Sequence, residues 1–508
     1  MNAIPNIHVC IVQPLGYVHS LGFVDQARYF RHQFRRFGAS VTIAKNRLHH
    51  GAVNFILGAH LGFDASLRQR YSCVFVNLEQ LGAGGAEVSA AYLELLRTSA
   101  VVDYDAANVS AYAVDALDVP LVPMLFAPYL VPGETLALED RPIDLLFIGS
   151  MNERRRDLLD RIEQTGLQVA VFGAPLYGAE RDHFILQAKA VFNAHFYPSS
   201  RFEQARVSHC LSLGTPVVSE RTPSTRPHPA FEDAVFWIDG ASIGDFFTSR
   251  FKTRSFYERA RAGLERFRVS DPGESYAEVL AFAAGFGRAH QDRRPHEPWR
   301  PSRIHLGSGK DYKCGWLNVD ILERAQPDLV IDLARSLELP LRVDTRAAGP
   351  VELSEGMADL IVANNVLEHV VDLPQLMGNC LKLLKLGGYL VIDVPYEHAP
   401  TAWQDPTHVR ALNENSWIYY TDWFWYLGWF EHRFAVEQFG YLDMELRDAP
   451  RERAAFMRIT LTKVATTLSE RMTARTMSPQ LELPDDALDS SWLVGPVEAP
   501  AASSPAFA

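Results

Sequence analysis

Three short stretches of this chain carry residues whose types and spacing can do chemistry. In RIHLGSGKDYKCGWLNVD (303–320), an apolar strand runs into Gly307, Ser308 and Gly309. Missing Cβ atoms let such a turn bend sharply and approach a ligand closely, as nucleotide-binding strand-to-helix turns do, although the same turn also serves as a plain tight bend. A second short strand ends near Asp320, where a carboxylate can accept hydrogen bonds from both hydroxyls of a ribose. In AVFNAHFYPSSRFEQARVSHCLSLGTPVVSE (190–220), a strand is followed by a helix that bears Arg201, Glu203 and Arg206 around its first turns and is closed by Gly214. A helix N-terminus at the mouth of a parallel sheet suits phosphate, because its free backbone N–H groups point at the ligand. In QDPTHVRALNENSW (404–417), Asp405 and His408 flank a Pro-Thr turn, and a histidine there can take up a proton near neutral pH.

The elements that must hold these residues alternate between short β-type runs and helical patterns, the signature of βα units and a mostly parallel sheet. IHVCIVQP (7–14) opens one such series and PIDLLFIGSMNERRRDLLDRIEQTG (142–166) opens another. Two sheet domains in succession make a bilobal α/β architecture with a cleft between its lobes. RAHQDRRPHEPWRPSR (288–303) has no apolar period and reads as a linker. A third α/β series runs from Ile304 to about Val464. The resulting division is 1–135, 136–287, a linker at 288–302, a third domain at 303–466, and a Pro-, Ala- and acid-rich tail at 467–508 whose composition predicts disorder. SWIYYTDWFWYLGWF (416–430) is aromatic rather than aliphatic and is expected to form a buried helix, with a sugar-stacking or membrane-interface surface as the alternative.

Composition narrows the chemistry. The chain has 508 residues, and 49 Lys+Arg against 61 Asp+Glu give a net charge of −12, which argues against nucleic acid as the main partner. Five cysteines without CxxC spacing predict neither a zinc site nor a disulfide framework, so reduced thiols in the cytoplasm are expected. The N-terminus lacks the pattern of a signal peptide, and no apolar run approaches the roughly 20 residues of a membrane span.

With MADLIVANNVLEHVVDLPQLMGNCLKLLKLGGYLVIDVP (357–395) added, residues 303–465 resemble the class I S-adenosylmethionine-dependent methyltransferases. More narrowly they resemble the bacterial, glycan-associated group reading LGxG, GWxNVD, VLEHV, LKxGGxLxIxVP and DPTHVR. The resemblance implies that Gly307, Ser308 and Gly309 approach the methionine part of the cofactor and that Asp320 holds its ribose. It places Asp332 near the adenosine and Asn364 at the cofactor or acceptor. Glu368 and His369 would start the next helix, and Glu352 or Glu355 would supply the adenine-side carboxylate. His408, Asp405 and His369 are the catalytic candidates for deprotonating an acceptor hydroxyl, and Asp405 with His408 could together bind a divalent ion.

Residues 190–220 and FIGSMNERR (147–155) are similar to the nucleotide-sugar lobe of GT-B glycosyltransferases. The resemblance implies that Gly149, Ser150 and Arg154 or Arg155 contact a diphosphate, with Arg201, Glu203, Arg206 and Gly214 completing a nucleotide-sugar site. One position departs from it: His209 stands where retaining members carry a Glu five residues before the glycine. His19 is a candidate acceptor-side base. The expected protein is therefore a sugar O-methyltransferase fused to a GT-B-like module, taking a sugar or glycan as acceptor and a nucleotide sugar as a further substrate. The alternatives are a non-catalytic glycan-binding module in the first half, or a non-carbohydrate methyl acceptor.

Overall fold

The computed structural model describes residues 4–113 and 119–477. The first sheet contains β1 (Ile7–Ile11), β2 (Val41–Lys45), β3 (Val53–Leu57), β4 (Ser72–Asn77) and β5 (Ala100–Asp103), all parallel, in the order β2-β1-β3-β4-β5. The second contains β6 (Ile143–Phe147), β7 (Val169–Val171), β8 (Ala188–Asn193), β9 (Val217–Glu220) and β10 (Phe236–Ile238). Its order, β10-β9-β8-β6-β7, is the same doubly wound pattern read from the other edge. Strands β1, β3 and β4 are buried along their whole length, as continuous apolar runs must be when helices cover both faces of a parallel sheet. In such sheets the ligand crevice opens where the strand order reverses, here after β1 and β3 and after β6 and β8.

The long helix Gly273–Arg293 follows the second sheet but packs on the first. Tyr276, Val279, Leu280 and Ala283 enter the core beside Phe30, Phe34 and Phe55. Tyr276 meets Tyr29, Phe30 and Phe34 edge-on with ring centroids 5.6–6.0 Å apart. The helix extends into the segment expected to be a linker because Ala, Gln and Arg there are good helix formers, and it ends at Arg293, two residues before Pro295. The remainder of that segment is structured as well: Trp299 bridges to Val351, and Arg300 pairs with Glu352.

The third sheet is built from β11 (Arg303–Leu306), β12 (Leu317–Asp320), β13 (Leu329–Val330), β16 (Ala358–Asn364), β17 (Leu384–Pro395), β18 (His432–Leu442), β19 (Asp448–Ala449) and β20 (Phe456–Ala465). Its order is β13-β12-β11-β16-β17-β20-β18-β19, parallel through β17, with β20 antiparallel to both β17 and β18. A separate hairpin is formed by β14 (Leu341–Thr345) and β15 (Gly349–Leu353).

This third unit is packed onto the first sheet domain. Cys314 enters the apolar cluster around Cys10, Cys73 and Tyr71, and the Arg47 guanidinium lies 4.3 Å from the Tyr312 ring centroid. His50 N donates to Ala347 O at 2.8 Å, and Arg70 stacks on Trp299 at 4.5 Å. Residues 468–477, expected to begin a tail, form a helix whose Glu470 pairs with Arg433; residues 478–508 lie outside the described part. The stretch 416–430 is not a buried helix. It makes two 3-10 turns, Glu414–Trp417 and Phe424–Leu427, that bury Trp417 and Phe424 and leave Tyr419, Trp423 and Tyr426 exposed. Among the described residues, no helix is long and apolar enough to cross a membrane.

Because Tyr276 is the large side chain by which the returning helix grips the first sheet, Tyr276→Ala should cost roughly 3–5 kcal/mol in urea denaturation. Its hydroxyl is buried with no partner among the described residues, so Tyr276→Phe should be neutral or stabilising by about 1 kcal/mol. An unchanged midpoint for the alanine variant would show that the helix does not secure this lobe.

Candidate functional site

The glycine turn of the third domain leaves β11 at the end where the parallel strands β12 and β16 also finish. Gly307 and Gly309 have φ of +58° and +48°, in the left-handed region. A Cβ on Gly307 would lie 2.3 Å from Val366 Cγ2, so this position has no room for a side chain. Asp320, at the end of β12 and 8% exposed, accepts from Gly309 N through Oδ2 and from Leu322 N through Oδ1, both at 2.8 Å. Each of those oxygens keeps a lone pair for a hydroxyl. Ser308 N is held by Val319 O, while Ser308 Oγ is buried without a partner among the described residues. A buried hydroxyl with no partner among the described residues, two glycines and a fixed carboxylate together make a polar cradle.

Asn364, at the end of β16, is half-buried, and Asn365 beyond it is exposed with φ +51°. Asp332 is largely exposed and is occupied by Ala334 N and Arg335. Glu352 lies on β15 and is taken by Arg300 and Arg342, which hold it below the usual carboxylate range. Glu355 is exposed.

One turn beyond β16 the chain does not start a helix as expected. Leu367–His369 is a single 3-10 turn, and the helix begins at Leu373, capped by Asp372. The turn drives the Glu368 side chain inward, where it is 2% exposed and neither carboxylate oxygen has a hydrogen-bond partner among the described residues. Burial pushes its carboxyl up to about 7, opposed by its own backbone N–H and, after that, by the His408 charge. His408 Nδ1 lies 2.9 Å from Ala402 O, which can only accept. The Nδ1 hydrogen is therefore fixed, and the Nε2 lone pair is left facing Glu368 Oε1 at 4.0 Å. His369 packs against His408 with ring centroids 4.8 Å apart and is exposed. Asp405 is not in this cluster: its Oδ1 accepts from Thr407 N and Thr407 Oγ1 at 2.9 and 2.7 Å, and Thr407 Oγ1 is 3.0 Å from His369 Nδ1. The sequence offered a faint signal for Glu368, a Glu-His pair directly after a buried strand.

A cavity of about 700 Å³ lies between the first two sheets, within the size range of small-molecule sites. His19, Gly149, Arg155, Tyr177, Glu203 and Arg206 are among its walls, drawn from the loops after β1 and β6, the loop after β7 and the start of the helix Gln204–Ser212. Ser150 also lines it, and Arg155 rather than Arg154 faces it. Arg155 is buried, with its guanidinium donating to Ala194 O and Ser150 O at 2.7 Å; desolvation, then the neighbouring Arg206, lowers its pKa to about 9.

Glu203 accepts from Asn193 at 3.1 Å, pairs with His195 Nδ1 at 3.0 Å and lies 3.7 Å from Arg155, while Arg206 donates to Asn193 Oδ1. Burial tends to raise the Glu203 carboxyl, but the His195 bond and charge and the Arg206 charge outweigh it and hold it below its ordinary value. Arg154 is spent on Glu220 and His195 O. Arg201 reaches over to Leu81 O of the first lobe, and Gly214 forms the C-terminal turn of its helix, with its carbonyl accepting from Arg141. His19 Nδ1 is 2.8 Å from Tyr177 Oη across the cleft, and His209 Nε2 lies 2.7 Å from both Asp182 and Arg181.

Two substitutions test this geometry. Gly307→Ala should destabilise the third domain by about 1–3 kcal/mol, and by more than Gly309→Ala, whose Cβ would meet nothing closer than 3.8 Å. Equal melting temperatures for the two variants would contradict the packing against Val366. A carboxylate depressed in the folded state contributes stability above its unfolded pKa and loses it as pH falls through the folded value. The stability deficit of Glu203→Gln against wild type should therefore shrink as pH drops from about 5 to 3. A deficit independent of pH would contradict the ion-paired role.

A family model described as a methyltransferase domain matches residues 286–443. No curated protein matches the chain. Among solved structures, a SAM-dependent methyltransferase and possible histamine N-methyltransferase from Thermotoga maritima is 14% identical over 33% of this chain and 83% of its own, with a TM-score of 0.23. An S-adenosylmethionine-dependent methyltransferase from Mesorhizobium loti is 16% identical over 35% of this chain and 96% of its own, with a TM-score of 0.22. One from Archaeoglobus fulgidus is 15% identical over 32% and 85%, also at 0.22. Residues 286–443, which span most of the C-terminal unit, thus match a methyltransferase domain.

Proposed function

We propose that the chain methylates a sugar hydroxyl with S-adenosylmethionine, and that its first two lobes form a GT-B-like module that binds a nucleotide sugar or the glycan being built. The observation that supports this most directly is the Ser308–Gly309–Asp320 cradle at the end of β11 and β12, with Val366 packed against Gly307 and the buried Glu368 two residues beyond it, facing the oriented His408. The cofactor would lay its methionine end on residues 307–309 and its ribose on Asp320, with Asn364 at the strand end beside it. It supplies an electrophilic methyl group on sulfonium. The chain's part is to align an acceptor oxygen behind that methyl group and to take the hydroxyl proton, for which His408 Nε2 presents a free lone pair at the correct side of the ring.

For the first half, Arg155 and Arg206 beside the N-terminus of the helix Gln204–Ser212 suit a diphosphate, and Glu203 is positioned for a sugar or ribose hydroxyl. The reading that this half binds glycan without transferring it has its own support in His209, which contacts Asp182 and Arg181 where a retaining transferase would present a carboxylate. The exposed Tyr419, Trp423 and Tyr426 offer rings on which a pyranose can stack.

Incubation of the full chain with methyl-labelled S-adenosylmethionine and a panel of nucleotide sugars and glycans should label a carbohydrate, with labelling reduced at least a hundredfold by Asp320→Ala. Label entering only non-carbohydrate acceptors would discard the sugar reading, and undiminished labelling by Asp320→Ala would discard the cofactor pocket. In the first half, a uridine or guanosine diphosphate sugar should raise the melting temperature of the wild type but not of Arg206→Ala.

A further inference from the structure

Glu368 has no place in the hydrogen-bond accounting of the third domain. A carboxylate nine-tenths buried normally has a cation or several donors, because burying it alone costs several kcal/mol. Here both oxygens are orphaned among the described residues, and the nearest basic atom, His408 Nε2, stops at 4.0 Å. Around those oxygens the fold gathers a second independent feature. Glu368, His369 and His408 each present one donor atom, and the three donors lie within 4.8 Å of one another.

We propose that Glu368, His369 and His408 bind one divalent transition-metal ion. Two imidazoles and one carboxylate on a single face are a ligand set for zinc, manganese, iron or cobalt rather than for magnesium or calcium, which take all-oxygen shells. The surrounding groups are those such a site requires. Ala402 O fixes the hydrogen of His408 on Nδ1, which leaves Nε2 free to ligate. Thr407, itself anchored by Asp405, touches the His369 ring. Asp405 is thereby a positioning residue that acts through Thr407, and the ion pairs with Glu368 instead.

Three protein ligands leave coordination positions open on the side of the exposed His369, where one or two hydroxyl oxygens of the acceptor can enter. With the ion bound, His408 Nε2 is its ligand and no longer the base, so the ion takes over that role: it would polarise such a hydroxyl, release its proton to solvent and fix the face it presents to the methyl group. That role rests on the methyltransferase reading, whereas the binding of the ion does not.

Equilibrium dialysis of the full chain, without a histidine tag, against Zn²⁺ should give one ion bound per chain. Co²⁺ in its place should give visible absorption bands from a low-symmetry nitrogen and oxygen site. Glu368→Gln, His369→Ala and His408→Ala should each weaken binding at least tenfold with unchanged circular dichroism. His398→Ala, at an exposed histidine paired with Glu397 on another turn, should bind as wild type. The absence of a bound ion, or stoichiometry and affinity unaltered by Glu368→Gln, overturns the site. Ion binding that depends on the three residues in a chain that transfers no methyl group upholds the site and overturns the proposed function. Methyl transfer at full rate by metal-free protein that takes up no ion does the reverse.

Discussion

Every candidate site in this chain depends on one constraint, that parallel strands all finish at the same edge of their sheet. A parallel sheet can be wound only by crossovers, so its chain leaves each strand at one edge and turns there. The loops after β1, β6, β8, β11 and β16 are consequently where backbone N–H groups, glycines and short polar side chains collect. The cleft between the first two sheets and the cradle in the third are the same solution drawn from all three sheets. What differs is the chemistry placed at that edge: guanidinium groups and an ion-paired Glu203 in one case, an unpaired Glu368 and two imidazoles in the other.

The contrast between Glu203 and Glu368 shows how environment assigns different work to the same residue type. Glu203 is surrounded by His195, Asn193, Arg155 and Arg206 and is held ionised. Glu368 is withdrawn further from water and has only the His408 ring near its oxygens among the described residues, so burial pushes its carboxyl up to about 7. Charge compensation is internal in the first lobe pair and is left to a ligand in the third domain.

Much of this was legible in the sequence, and the remainder was lost for identifiable reasons. Gly307, Gly309 and Asp320 could be placed because a glycine turn after a strand and an acid after the next strand are local features. The two sheets could be anticipated because strands buried on both faces leave continuous apolar runs, such as SCVFVN. Arg201 and Arg154 read as ligand residues because a basic side chain near a helix start looks the same whether it meets phosphate or a carbonyl from another lobe. Residues 416–430 read as a helix because hydrophobicity on all sides suggests burial, but Gly428, with φ +71°, ends one of two short turns, and Tyr419, Trp423 and Tyr426 remain at the surface while Tyr420 turns into the core. Glu368 was read only as the start of a helix beside His369, since the absence of a hydrogen-bond partner among the described residues is a property of three-dimensional surroundings.

The seam between the first sheet domain and the third domain bears on what may be separated from what. The segment immediately after the glycine turn, Tyr312 to Gly315, is the part that docks: Arg47 stacks on Tyr312, Cys314 sits among Cys10, Cys73 and Tyr71, and Gly315 faces Leu67. A fragment cut at residue 303 would bare this apolar strip and strand Trp299 and Arg300 on the discarded side, so the folding unit of the third domain is larger than its own sheet. The residues that dock on the first sheet domain follow directly on the glycine turn at 307–309, so that turn is anchored from outside its own sheet. The fusion is thus a mechanical joint, and the two halves share a wall.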